Sequence, residues 1–204
     1  MEIVIATDNE GKIKEFKEIL TPLNFKVISK KEAGIFNKIE ETGTSFIENA
    51  KIKASFIFDK TKKMTLADDS GLEVFSLNNR PGIFSARYSQ EKNSPATDEK
   101  NNIKLLKELE NKENRKARYV CALCFINKKK EIFSIIETVE GEIAKTPKGT
   151  NGFGYDPLFL YNGKSFGETK SEIKNKISHR GKAIKKLLEN IKNWVWLNFI
   201  FWAY

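Results

Sequence analysis

The sequence predicts a mixed α/β fold. Short Ile- and Val-rich runs punctuate the first half of the chain, segments with apolar residues at helical spacing lie between them, and residues 117–126 and 131–143 read as two long strands. With 40% hydrophobic content in 204 residues, the chain can bury a substantial core in one compact unit or in two closely packed lobes.

The elements follow in order. "EIVIA", residues 2–6, reads as a short buried strand, and Asn9 to Leu20 as a helix with Ile13, Phe16, Ile19 and Leu20 on one face; Pro22 ends it. "FKVIS" is a second strand. Residues 44–60 place Phe46, Ala50, Ala54 and Ile57 at helical spacing, with Thr44 or Ser45 available as N-cap. "MTLAD" and "LEVFSL" read as separate strands on either side of the acidic pair Asp68-Asp69. Residues 95–110 read as a helix opened by Asp98 and buried through Ile103, Leu106 and Leu109. The two long strands then form a hairpin across the lysine-rich turn 127–130. A Gly-rich loop, a strand "PLFLY" and a last helix from about Ser178 to Ile191 complete a single domain over residues 1–191, for which two lobes around a cleft are an open arrangement. Residues 192–204 form an apolar, aromatic tail too short to span a bilayer and expected to pack on the body or on a partner subunit.

Composition removes several functions. The formal net charge is +9, yet only Arg80, Arg87, Arg115, Arg118 and Arg180 are arginines, and the lysines are spread evenly. Base reading favours the arginine fork, so the excess reads as compositional bias rather than a nucleic-acid surface. His179 is the one histidine, which excludes His-rich zinc sites; a metal here would be held by carboxylates, hence magnesium, manganese or calcium. Cys121 and Cys124 sit three apart in a strand and so face opposite sides, as two structural thiols. The chain turns polar after six residues, unlike a secretory signal, and a cytoplasmic address without membrane attachment is expected.

Four stretches carry candidate chemistry. "ATDNEGK" leads from strand to helix with Thr7, Asn9, Gly11 and Lys12 where a helix N-terminus can hold phosphate, although the turn is not a Walker loop. The acidic pair Glu40-Glu41 and the pair Asp68-Asp69 suit a magnesium ion completed by water and substrate phosphates. "GTNGFGYDPLF" offers the ring faces of Phe153 and Tyr155 and the Asp156 carboxylate to a flat base. "KNKISHRGKA" puts His179 and Arg180 at the start of the last helix, where a cation opposes the helix dipole and so calls for a partner.

In order, "TDNEGK", "EETGTSFIENA", "ADDSGL", "PGIFSARYS", "GFGYDPLF" and "ISHRGKA" resemble the inosine triphosphate pyrophosphatase family over residues 1–191. The resemblance implies an elongated mixed sheet with two lobes around a central nucleotide-binding cleft, a homodimer, and magnesium-dependent hydrolysis of ITP, dITP and XTP to the monophosphate and pyrophosphate. Carried over by position, Thr7, Asp8, Asn9, Glu10, Gly11, Lys12 and Lys53 hold the triphosphate. Glu40 and Asp69 bind magnesium, Asp69 is also the proton acceptor, and Ser70 contacts substrate. Phe153, Gly154, Tyr155, Asp156, Lys174, His179 and Arg180 form the base pocket. This chain departs from the pattern with Asp8 inside the phosphate turn, with Ile173 before Lys174-Asn175, and with its aromatic tail. A pyrophosphatase for other modified bases and a non-catalytic nucleotide- or RNA-binding module are the alternatives.

Overall fold

The computed structural model describes residues 1–92 and 94–200, with side chains described to residue 191. Among these, eight strands form a mixed sheet in the order β2-β1-β3-β5-β6-β7-β8, with β4 paired to β3. Their ranges are β1 Glu2–Ile5, β2 Lys26–Ser29, β3 Thr65–Val74, β4 Arg80–Pro81, β5 Lys116–Ile126, β6 Ile132–Ile143, β7 Phe159–Tyr161 and β8 Lys164–Ser165. The helices are α1 Glu10–Leu20, α2 Phe46–Thr61, α3 Asp98–Glu108, α4 Ser171–Ile177 and α5 His179–Ile200. Parallel pairing joins β1 to β2 and to β3; the long strands β3, β5 and β6 run antiparallel. No described helix is long and apolar enough to cross a membrane.

The burial pattern follows from what covers each strand. β5 is buried on both faces over Tyr119–Ile126 because α2 packs on one side and α5 on the other, so it reads as an almost unbroken apolar run. β6 alternates buried and exposed positions. Cys121 lies in the cluster with Phe16, Ile184 and Leu187, and Cys124 in the cluster with Ala50, Ala54 and Ile57, on opposite faces as a strand requires. Both thiols are free, and burial pushes both pKa values up, Cys124 to about 11.

The three long strands continue from these clusters into a third core. Leu72 and Val74 of β3, Ala117 and Tyr119 of β5, and Val139 and Ile143 of β6 pack there with Leu105, Phe159 and Phe166. The shared sheet thus carries a core at each end, and the middle of β3, residues 68–71, lies between them.

Four expectations change. The acidic pair is not at a strand end: β3 runs unbroken through it, because the register with β5 continues from Thr65↔Ile126 to Val74↔Ala117. Helix α3 does not bury Ile103, which is 59% exposed; its inward face is Asn101, Asn102 and Leu105, since it packs on polar loops as well as on core. A short helix α4 precedes α5, and Ser178 between them accepts from the Gly181 N–H. The capping choice at α2 falls to Ser45, whose side chain accepts from the Glu48 N–H. Helix α5 continues past the expected end at Ile191, and the expected packing of the tail lies outside the described side chains.

Candidate active site

A cleft of about 520 Å³ opens over the middle of the sheet. The β1–α1 turn, the loop before α2, the middle of β3, the loop before β7 and the α4–α5 junction all reach it. One wall is the capped start of α1. The Asn9 side chain accepts from the Lys12 N–H at 2.9 Å, and Thr7 Oγ1 accepts from the Asn9 N–H at 3.2 Å. Thr7, Asp8, Asn9 and Lys12 line the cleft; Glu10 and Gly11 do not. Gly11 serves packing instead, because a Cβ there would stand 2.4 Å from the Phe153 ring.

Asp68 and Asp69 point to opposite faces of β3. Asp69 faces α2, where Lys53 Nζ donates to it at 2.9 Å and Asn49 Nδ2 at 3.2 Å. Burial raises its carboxyl above the usual value, and Lys53 and Lys12 offset only part of that. Lys53 Nζ also donates to Glu41 at 2.7 Å, and Arg87 donates to the same carboxylate at 3.2 Å. Glu40 lines the cleft but is exposed, so Glu41 is the acid tied directly to the Lys53–Asp69 pair.

Asp68 faces the other way and is fully buried. It accepts from Lys12 Nζ (2.5 Å), Ser70 Oγ (2.8 Å), Arg180 Nε (2.9 Å) and Cys121 Sγ (3.2 Å). Burial would raise its carboxyl, but the charges of Arg180 and Lys12 outweigh burial and hold it well below the usual range. Arg180 also donates through Nη1 to Glu15 and through Nη2 to Ser70 Oγ at 2.8 Å. The partner that its place at a helix start called for is therefore a pair of buried carboxylates.

His179, which also lines the cleft, stacks on Tyr119 with centroids 4.5 Å apart and planes 12° apart. Burial, with the nearby charges of Arg180 and Lys174, keeps its imidazole neutral, and its Nδ1 is buried without a hydrogen-bond partner. Lys174 Nζ lies 4.9 Å from the centre of the Phe153 ring and donates to Glu15 at 2.7 Å and to Asp156. Asp156 further accepts from the Phe153 N–H (2.9 Å) and the Tyr119 hydroxyl (3.3 Å). That carboxylate shapes the loop as well as facing the cleft. Gly152 lets the loop close on it, with φ +77° and no room for a Cβ beside Asp156. Tyr155 donates to the Ser85 carbonyl at 2.9 Å.

The structure adds residues the motifs did not reveal. Glu15 binds both Lys174 and Arg180, and its signal was its spacing, one turn after Gly11 and Lys12 on the same helix face. Asp98 accepts from the Gly154 N–H at 2.6 Å and Asn102 donates to the Gly154 carbonyl at 2.9 Å, so the start of α3 holds the 152–156 loop through both backbone groups of Gly154. No local pattern marks these two, because their partner lies far along the chain.

Comparison with known proteins comes to the same place. The model of the Ham1 family matches residues 3–190. A dITP/XTP pyrophosphatase of Bacillus licheniformis is 50% identical over 191 residues, 91% of this chain and 95% of that protein. One from Bacillus subtilis is 47% identical over 190 residues, 91% and 94% of the two chains. The Ham1 protein of Staphylococcus aureus superposes with a TM-score of 0.81 at 42% identity, covering 95% of this chain and 99% of that one. A HAM1 protein from Coxiella burnetii gives 0.82 at 39%, with the same coverage.

Proposed function

This chain belongs to the Ham1 family, and from that premise we propose that its cleft hydrolyses non-standard purine nucleoside triphosphates, ITP, dITP and XTP, to the monophosphate and pyrophosphate. One observation carries the reading. Asp69, held by Lys53, lines one cleft together with the capped start of α1 and an aromatic pocket whose imidazole keeps an unpartnered nitrogen.

The chemistry follows from those positions. Water attacks the α-phosphorus, the bond to the bridging oxygen of the pyrophosphate breaks, and Asp69 Oδ accepts the water's proton. Lys53 and Lys12, with the positive end of the α1 dipole, stabilise charge on the departing pyrophosphate. Lys53 also keeps Glu41 and Asp69 from repelling one another. Glu40, Glu41 and Asp69 are hard oxygen donors, and among the described residues no group of three His, Cys, Asp or Glu closes around a metal by itself. The donors fit a magnesium ion held by one or two carboxylates and completed by phosphate oxygens. Such an ion supplies electrophilic stabilisation of the phosphates when bound.

At the base, the unpartnered Nδ1 of the neutral His179 ring has one hydrogen bond to make, and as an N–H it donates to a purine 6-oxo group. Phe153 offers a ring face beside it. The same family reading gives a homodimer, which sedimentation velocity checks. The deciding experiment is pyrophosphate release from ITP, XTP, dITP, GTP, ATP and CTP, with and without magnesium. Release from the oxo-purine triphosphates that stops in excess chelator is the expected result. Preference for CTP would move the assignment to other modified bases, and no release from any of them would reduce the protein to a binding module.

A further inference from the structure

Lys30 follows the edge strand β2, and at 2% exposure it is among the most buried large side chains of the protein, yet it lines the cleft. Its Nζ donates to the Asn37 carbonyl at 2.6 Å and lies 2.8 Å from Asp8 Oδ2. An ammonium has three N–H donors, and these partners account for two. Burying a lysine costs desolvation that an apolar side chain would avoid, so packing alone does not explain it. Its carboxylate partner is unlike the other acids here. Asp8 sits in the phosphate turn itself and its side chain is 51% exposed, so it can rotate into water without disturbing the core.

The sheet order gives the pair a direction. Asp69 lies on β3, the aromatic pair reaches the cleft from β5 and α5, and Lys30 lies beyond β1 on the opposite side, two strands from β3. Adjacent strands are about 4.8 Å apart, so the backbone at Lys30 lies roughly 10 Å from that of β3, and its ammonium reaches back only as far as Asp8 in the β1–α1 turn. A triphosphate whose base lies on Tyr119 and His179 and whose α-phosphorus lies at Asp69 continues toward that edge. We infer that Lys30 is a seat for the terminal phosphate, and that Asp8 occupies the seat until the phosphate replaces it. The inference rests on the triphosphatase reading above and adds to it a residue that counts phosphates. The ammonium stays where Asn37 holds it; only the half-exposed carboxylate exchanges.

The test uses the full chain with ITP as substrate and IDP as competitive inhibitor. Lys30→Met should raise KM for ITP about tenfold, the worth of one charge-assisted contact, with the Ki of IDP shifted less than about twofold. Asp8→Asn, which removes the competing anion, should lower KM for ITP while leaving the Ki of IDP in place. Equal shifts for ITP and IDP, or a lowered Tm with an unchanged ratio in both variants, would overturn the inference and leave the pair purely structural. Calorimetric titration with inorganic tripolyphosphate and with pyrophosphate separates the two levels of argument. A wild type that releases no pyrophosphate from any nucleotide defeats the functional reading. Loss of tripolyphosphate affinity alone in Lys30→Met would still support the seat, and equal loss for both anions would still refute it.

Discussion

Asp68 and Asp69 are chain neighbours with different duties, because successive residues of a strand face opposite sides of the sheet. Asp69→Asn should keep the fold and lower turnover by about 100-fold or more, since an amide cannot accept the proton. Wild-type turnover in that variant would remove Asp69 from the mechanism. By sequence alone Asp68→Asn looks like the mild control; the structure makes it the costlier change for stability. It leaves Arg180, Lys12 and Cys121 facing a neutral amide in a fully buried position. We expect a loss of about 3 kcal/mol in urea unfolding, as when a buried ion pair loses one partner. The sign with pH follows from the depressed carboxyl. The Asp68 contribution is complete above its unfolded value of 3.8 and is lost as pH falls below it toward the folded value. The wild-type advantage over Asp68→Asn should therefore shrink on acidification below 3.8; an advantage independent of pH would show that the Asp68 charge is not its source.

At the scale of elements, α1 does three things through one short segment. Its N-terminus is capped by Asn9 at the cleft, its inner face carries Glu15 to Lys174 and Arg180, and Gly11 gives the Phe153 ring a place to lie. Gly11→Ala tests the last of these. Alanine is the better helix former by about 1 kcal/mol, so a rise in stability would be expected if nothing lay against it. The ring 2.4 Å from the new Cβ must move instead, and it belongs to the loop that Asp98 and Asn102 hold from α3. The expected outcome is a several-fold rise in KM for ITP, roughly 1 kcal/mol of uniform binding, with kcat little changed. An unchanged KM with raised Tm would mean that the ring has no part in binding.

At the scale of the whole molecule, the described apolar contacts of α5 with the core are made by Ala183, Ile184 and Leu187, with Leu188 and Ile191 partly buried beside them. A chain ended after Ile191 keeps all of these contacts and tests the packing expected of residues 192–204: a lowered thermal midpoint is the expected result, and an unchanged midpoint with unchanged pyrophosphate release would refute that packing. By itself the sequence determined the α/β class, the two cysteines on opposite strand faces, most helix positions and the residue types gathered at the cleft. Local periodicity and turn chemistry encode these, and they require no knowledge of distant contacts. Tertiary structure alone decided that β3 runs through the acidic pair, that Arg180 answers to Glu15 and Asp68, and that Gly154 is held from α3. It also decided that a lysine after an edge strand reaches Asp8 in the β1–α1 turn. Each of these joins residues from separate elements, and burial makes the pairing obligatory: a charge or polar group taken out of water must find its partner wherever the fold has put one.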